Sequence, residues 1–186
     1  MVRLFLEQGV DVDAVNPNGW TALMGVAQNG HADVVNLLLE SKADVNAAKE
    51  DGYTALLLAA GQGHVDVVQR LLADGANVDA ATTNGAKTLI IAAQNGHAEI
   101  VQCLLRSKAD VNKPMTDGHT ALVIAKSTGH AEVVELLEAA QVAQVPATGS
   151  FSSSSGSGAG AGGGGAQDDG PSDQKRARRG SESDSE

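Results

Sequence analysis

The hydrophobic and polar positions of the chain repeat with a period of 33 residues. A polar residue followed by glycine marks a turn in each period, and these pairs are Asn18-Gly19, Asp51-Gly52, Asn84-Gly85 and Asp117-Gly118. A Gly-His pair and then two adjacent β-branched residues follow each turn in the same register. Because three features keep register over four periods, we interpret the chain as an array of one structural unit.

Each unit is predicted to hold two short helices and a turn. Thr21 precedes the first apolar run, so its hydroxyl is expected to cap the first helix. Leu23 and Ala27 are four residues apart and therefore share the inner face of that helix. The second helix is predicted to begin near His31 and to carry an inward stripe of Val and Leu. Neither helix buries its apolar face alone, so consecutive units are expected to stack.

The repeat period divides residues 1–143 into five segments. They are a half unit at 1–17 and units at 18–50, 51–83, 84–116 and 117–143. The half unit begins inside its second helix, so part of its apolar face would have no partner helix. The chain therefore looks like a truncated gene product, a fragment of a longer array, or a protein that relies on another surface to cover this end.

The repeated unit resembles the ankyrin repeat. The family pattern DGxTPLHxAAxxGHxxVVxxLLxxGADVN corresponds to DGYTALLLAAGQGHVDVVQRLLADGANVD at residues 51–79. The resemblance covers residues 1–143 and implies an all-α solenoid of stacked helix pairs. It also implies hairpin fingers that project to one side and border a concave groove.

Some positions depart from the family pattern. The histidine of the TPLH motif is replaced by an apolar residue in every unit, and these residues are Met24, Leu57, Ile90 and Val123. We expect them to form a more apolar inner seam. Lys42 and Lys108 replace the glycine that ends the second helix, and a left-handed lysine costs on the order of 1 kcal/mol. Lys87 replaces the capping threonine, so the third unit is expected to start weakly and the array to be moderately stable.

Charge and composition narrow the classes of partner. The chain has 186 residues and a formal net charge of −10. Residues 1–143 hold nine Lys and Arg against 17 Asp and Glu, a net of −8, which repels nucleic acid and anionic lipid. No apolar run is long enough to cross a membrane, and a lone cysteine excludes a disulfide framework.

Residues 144–186 are predicted to be a disordered tail, because ten of them are Gly and ten are Ser. The basic residues Lys175, Arg176, Arg178 and Arg179 fit a short nuclear-import signal, with a solvated charge cluster as the alternative. Ser181 and Ser183 resemble kinase sites, and their phosphorylation would mask the basic block. We therefore expect a cytoplasmic location, a nuclear location, or both.

No group of residues favours catalysis, a metal or a cofactor. The four periodic histidines lie one in each unit, without the paired or clustered spacing of a metal site. We expect each to make local backbone hydrogen bonds. The repeated Ala-Asp-Val-Asn segments lack the ligand alternation of a calcium loop and are expected to bond within loops. Cys103 is expected to be a small, partly buried apolar residue.

The resemblance to the ankyrin family implies a binding surface around the turns and the ends of the first helices. Carried over by position, it comprises Asn18, Trp20, Gln28, Asn29, Asp51, Tyr53, Gln62, Asn84, Gln94, Asn95, Asp117 and His119. Trp20 and Tyr53 lie off the inward stripe, so we expect exposed aromatic anchors. The alternative is that each ring packs against its own finger.

We therefore interpret the chain as a non-catalytic scaffold that binds another protein through the groove. The nearby acids favour a partner with basic and apolar surface. An ankyrin fragment of a larger regulatory protein or enzyme, such as a ligase or kinase adaptor arm, is the alternative. We expect a monomer, with end-to-end association of copies as the competing state.

Overall fold

The computed structural model describes residues 8–144, in which eight α-helices and no strand occur. The helices are α1 (Ala22–Gln28), α2 (Ala32–Glu40), α3 (Ala55–Gln62), α4 (Val65–Ala73), α5 (Thr88–Gln94), α6 (Ala98–Arg106), α7 (Ala121–Thr128) and α8 (Ala131–Gln144). The predicted all-α class is confirmed. The boundaries predicted for the individual units stay a prediction, and the expected helix of the half unit lies outside the described residues.

The helices pack in two layers. The first helices of the units, α1, α3, α5 and α7, contact one another in sequence order. The second helices, α2, α4, α6 and α8, form a parallel row, and each also packs against the first helix of its own unit. Each helix is therefore held by a partner within its unit and by neighbours in adjacent units, as expected for stacked repeats.

Small and branched apolar side chains fill the space between the layers. Ala59, Ala60, Ala92 and Ala93 are fully buried, which allows the first helices to approach closely. The predicted apolar seam is confirmed over three units, since Met24, Leu57 and Ile90 are at most 1% exposed.

The seam does not extend to the last unit. Val123 is 49% exposed. In the first three units the next helix pair covers this position, whereas no described residue covers it in the fourth. The expectation of a buried residue at Val123 is therefore wrong, because burial here depends on a following unit rather than on the helix itself.

Threonine caps three of the four first helices. The hydroxyls of Thr21, Thr54 and Thr120 accept hydrogen bonds from amides three residues along, at 3.2–3.4 Å. Lys87 caps α5 and makes no side-chain hydrogen bond there, as predicted. The next residue, Thr88, is fully buried, and its hydroxyl has no hydrogen-bond partner within residues 8–144. The third unit therefore lacks one stabilising contact and carries one unsatisfied polar group.

Two lysines end second helices in the left-handed region. Lys42 has a φ of 68° and Lys108 a φ of 64°, which confirms the prediction made from the missing glycines. At the end of α1, Gly30 also has a positive φ, of 73°, and a Cβ there would lie 2.6 Å from the His64 ring. That glycine is required both by its conformation and by the close approach of the next unit.

Three of the four periodic histidines join neighbouring units. His64 Nε2 donates to the Gln28 carbonyl at 2.9 Å, and His130 Nε2 donates to the Gln94 carbonyl at 3.0 Å. His97 makes the equivalent contact with Gly61 at 3.3 Å. For these three, the expectation of local bonds is wrong, since each contact spans 36 residues. The histidines link consecutive first-helix ends instead.

The Asp and Asn residues of the loops after the second helices bond as expected, within a loop and also between loops. Asp44 Oδ1 accepts from the Asn46 amide at 2.9 Å, and Asn46 Oδ1 accepts from the Asn77 amide at 2.7 Å. Asp13 Oδ1 accepts from the Asp44 amide at 2.8 Å. Hydrogen bonds from these side chains therefore connect each loop to the next one.

Candidate functional site

A hairpin, called a finger below, spans the start of each predicted unit, and its backbone bonds recur four times. In the first finger, residues 16–20, the Asn16 amide donates to the Trp20 carbonyl at 3.0 Å. The Gly19 amide donates to the Asn16 carbonyl at 2.9 Å. The same two bonds close the second, third and fourth fingers at residues 49–53, 82–86 and 115–119. The four fingers therefore share one backbone and differ in their side chains.

The fingers stack against one another through their turn glycines. A Cβ on Gly52 would lie 2.7 Å from the Ala81 carbonyl oxygen, so only glycine fits between the second and third fingers. The Thr83 amide donates to the Asp51 carbonyl at 2.9 Å across the same junction. Between the third and fourth fingers, the Thr116 hydroxyl donates to the Asn84 carbonyl at 2.7 Å. The tip side chains therefore lie in a row, called the finger-tip surface below.

Lys49 lies between the two aromatic side chains of the finger-tip surface. Its Nζ is 4.9 Å from the ring centroid of Trp20 and 5.7 Å from that of Tyr53. Both distances are within the range of a cation–π contact. Trp20 belongs to the first finger and Tyr53 to the second, so one ammonium group bridges two units. The stacking of the fingers thus brings together residues that are distant in sequence.

Asp51 completes this cluster. Its Oδ2 accepts a hydrogen bond from Lys49 Nζ at 2.9 Å, and its Oδ1 accepts one from the Tyr53 amide at 3.3 Å. The bond from Lys49 is the main cause that lowers the pKa of Asp51 below its ordinary value, with a smaller contribution from the Tyr53 amide. The carboxylate is therefore stabilised in the charged form that holds the lysine. Trp20, Lys49, Asp51 and Tyr53 are called the cation cluster below.

The aromatic rings are less exposed than the sequence indicated. Trp20 and Tyr53 are both half-buried, and Trp20 packs against the apolar core. The expectation of freely exposed anchors is therefore wrong. Lys49 covers part of each ring and its own side chain is only 16% exposed. Trp20 contacts the lysine of the next finger, whereas Tyr53 contacts the lysine of its own finger, so packing on its own finger alone is excluded only for Trp20.

The third and fourth fingers lack such a cluster. Ala86 occupies the position of the aromatic residues and is buried, while Asn84 Oδ1 accepts a hydrogen bond from the Thr82 hydroxyl. Asp117 Oδ1 lies 3.0 Å from His119 Nδ1. The His119 amide, and next its side chain, lower the pKa of Asp117 by hydrogen bonding. The side chains of Asn84, Asp117 and His119 are polar and exposed, and their own hydrogen bonds stay within one finger.

The residues predicted at the ends of the first helices have structural contacts of their own. Asn29 Nδ2 donates to the Gly25 carbonyl at 2.7 Å, and Asn95 Nδ2 donates across units to the Gly61 carbonyl at 3.1 Å. Gln62 and Gln94 have exposed side chains, whereas Gln28 is half-buried. The exposed glutamines are therefore better placed to meet a partner than the two asparagines.

Sequence reasoning missed Lys49. Four different residue types, Asn16, Lys49, Thr82 and Met115, stand two residues before the turn dipeptides. The repeat pattern therefore did not mark this position as a site. A lysine near the turn aspartate and 29 residues after Trp20 was the only available signal. The contact of this lysine with Trp20 depends on the distance between two fingers, and the repeat period does not predict that distance.

A cleft opens between the first and second fingers beside the cation cluster. Its volume is about 340 Å³. Pro17, Asn18 and Gly19 line one side, and Lys49, Glu50 and Asp51 line the other. A Cβ on Gly19 would lie 3.9 Å from the nearest atom of the second finger, compared with 2.7 Å at the next junction. The first junction is thus the wider one.

Several other expectations concern metals, membranes and the tail. Residues 8–144 contain no group of three metal-binding side chains, and none of the helices in that range is long and apolar enough to cross a bilayer. Cys103 is buried and accepts a weak hydrogen bond from Gln69 at 3.6 Å. The import candidates at residues 175–179 and the serines at 181 and 183 lie outside the described residues and stay predictions.

Comparison with known proteins gives one family. A model of three consecutive ankyrin repeats matches residues 1–82 and again residues 76–145. A search of curated proteins found no match. Ankyrin repeats are a general protein–protein interaction module and are typically non-catalytic.

Proposed function

Because the chain belongs to the ankyrin-repeat family, we propose that it is a non-catalytic scaffold that binds another protein through its finger-tip surface. The supporting observation is the contrast between backbone and side chains in the fingers. All four hairpins are closed by the same bonds, yet their tips carry Trp20, Tyr53, Ala86 and His119 at one register. A surface that varies on a constant frame is suited to recognition.

Rigid presentation is the mechanism of this proposal. Hydrogen bonds join the second finger to the third and the third to the fourth, and all four fingers continue into helices packed on a common core. Tip side chains held in this way lose little further freedom when a partner binds, so more of the contact energy appears as affinity. The half-buried Trp20 and Tyr53 present ring area without the entropy cost of a flexible side chain.

The charge of the surface favours a basic partner. Residues 1–143 carry a net charge of −8, and the tips contribute Glu50, Asp51 and Asp117. Opposite charge on a partner would steer the encounter and would make association weaken as salt concentration rises. The finger-tip surface, together with the exposed Gln62 and Gln94 at the ends of the first helices, is therefore proposed to contact a basic protein surface that also offers an apolar group.

The test compares two sets of variants in the full chain. Asn18→Arg with Gln62→Arg places two cations on the proposed surface, and neither side chain makes a hydrogen bond within residues 8–144. Gln69→Arg with Gln102→Arg makes the same change in charge on α4 and α6, away from the fingers. Proteins captured from lysate are quantified by mass spectrometry for each variant.

A partner of the finger-tip surface should be lost with the first pair and retained with the second. Circular dichroism melting of each variant checks that the fold is kept. Equal capture by both pairs, or loss with the α4 and α6 pair alone, would place binding elsewhere and reject the proposal.

A further inference from the structure

The junction between the first and second fingers differs from the other two. Hydrogen bonds join the second finger to the third and the third to the fourth. Within residues 8–144, no hydrogen bond joins residues 16–20 to residues 49–53. The junction instead contains the cation cluster and the adjoining cleft of about 340 Å³. Its parts can therefore separate without breaking a hydrogen bond between fingers.

The cation cluster has the composition of a binding site for a cation. Two aromatic rings face one ammonium group, and a carboxylate binds that group at 2.9 Å. Aromatic faces attract cations through their quadrupole, and a carboxylate adds charge and a hydrogen-bond acceptor. The occupant is Lys49 of the chain itself. Asp51 remains 49% exposed, so the carboxylate can be reached from solvent.

The physical chemistry of the two basic side chains favours exchange of this lysine for an arginine. An ammonium group is strongly hydrated and regains its water when Lys49 moves out to solvent. A guanidinium group is less hydrated, stacks on aromatic faces and pairs with a carboxylate through two parallel bonds. A second cation beside Lys49 would be repelled, so binding requires exchange rather than addition.

We infer that the cation cluster is an arginine-binding site for a partner protein and that Lys49 competes with the partner's arginine as an internal occupant. The inference rests on the proposed function, since it assigns the chemistry of one contact on the same surface. Glu50, which lines the cleft beside Asp51, adds negative charge where the incoming side chain would enter. Lys49 is therefore a specificity-determining residue: it excludes weaker cations and lowers the apparent affinity of stronger ones.

Trp20 provides a direct readout, because it is the only tryptophan of the chain. The experiment titrates the full chain with a blocked, alanine-flanked arginine peptide and follows the fluorescence of Trp20. Matched peptides carry citrulline, which keeps the shape but lacks the charge, or lysine. We expect a saturable change with arginine, a weaker one with lysine and none with citrulline.

Variants then test the role of Lys49. Lys49→Met keeps an apolar stem but removes the competing charge, so the dissociation constant of the arginine peptide should fall by about tenfold. Asp51→Asn should raise it by about tenfold, because the charged acceptor is lost. Lys126→Met is the matched control, since it removes a lysine that pairs with Glu138 on the last two helices, at 2.8 Å. It should leave the titration unchanged.

The outcomes separate this inference from the proposed function. Unchanged or weaker arginine binding in Lys49→Met, with Lys49→Gln giving the same result and both variants folded, would overturn the inference. Equal responses to arginine and citrulline would do so as well. If capture of a partner still depends on Asn18 and Gln62, the proposed function survives that result. If arginine binds as expected while capture does not depend on those residues, the scaffold proposal fails, and with it the assignment of that arginine to a partner protein, while arginine binding at the cluster stands.

Discussion

The predicted second and third units, residues 51–83 and 84–116, have the same backbone and different surfaces. Each has a finger closed by the same two bonds and two helices of matching position. The second unit has a threonine cap at Thr54 and the ring of Tyr53 in contact with Lys49. The third unit has Lys87 in place of the cap, a buried Thr88 hydroxyl without a partner, and Ala86 in place of the ring.

This difference shows that buried positions and surface positions of the array are constrained differently. Buried positions that contact both neighbouring units are almost interchangeable between repeats, because stacking imposes one shape on them. Positions at the helix starts and finger tips contact fewer residues, so each unit tolerates a different choice there. The second unit is better capped and carries half of the cation cluster. The third contributes mainly to the core, and its first helix begins without a side-chain cap.

The largest expected effects test the core that the two units share. Leu57→Ala and Ile90→Ala remove side chains that are each 1% exposed at equivalent positions. Each should lower the free energy of unfolding by about 2–5 kcal/mol, through lost burial and the cavity left behind. Urea denaturation followed by circular dichroism measures both.

Val123→Ala is the matched control for this pair, because Val123 has the same register in α7 but is 49% exposed. It should cost less than about 1 kcal/mol. If it cost as much as Ile90→Ala, another surface would have to cover Val123 in solution. A difference of more than about 2 kcal/mol between Leu57→Ala and Ile90→Ala would contradict a shared core.

A smaller effect tests the caps. Lys87→Thr gives α5 the hydroxyl that Thr54 gives α3, and it should raise the free energy of unfolding by about 1 kcal/mol. Thr54→Ala should lower it by about 1 kcal/mol. Amide hydrogen exchange in α5 and α3 measures the change where it occurs. In these variants α5 would begin with a threonine cap and α3 without one, so the order of stability of the two helix starts would be reversed.

Lys87→Ala is the control for the gain, since it removes the lysine without adding an acceptor. It should leave protection of the first α5 amides unchanged. A gain as large as that of Lys87→Thr would mean that the lysine itself destabilises the helix start and that the cap hydroxyl contributes nothing.

The sequence predicted the parts of this comparison that depend on local chemistry. A threonine before an apolar run indicated each cap, and its absence at Lys87 indicated the uncapped helix. The lysines that replace glycine at Lys42 and Lys108 were correctly expected in the left-handed region. These features follow from a few consecutive residues and from the geometry of one helix end.

Contacts between units were harder to predict from the sequence. The bond from His64 to the Gln28 carbonyl spans 36 residues, and the contact of Lys49 with Trp20 depends on the distance between two fingers. A repeat period says that units stack but not how far apart particular side chains lie. The exposure of Val123 depends on a neighbour rather than on its own helix. These contacts and this exposure depend on packing between units, which the residue pattern of one unit does not predict.

The smallest expected effect concerns the carboxylate that distinguishes the second finger from the third, where Asn84 replaces it. The bond from Lys49 lowers the pKa of Asp51, so its stabilising contribution is present above the unfolded-state pKa and is lost as pH falls through the lower folded-state pKa. This window lies below about pH 4. In Lys49→Met, NMR titration of the carboxyl carbons should show the pKa of Asp51 rising toward its ordinary value. Asp117 is the internal reference, because its pKa is lowered by His119 and should not change. A pKa of Asp51 that stays low without Lys49 would assign the shift to the Tyr53 amide, and the cation cluster would lose its carboxylate.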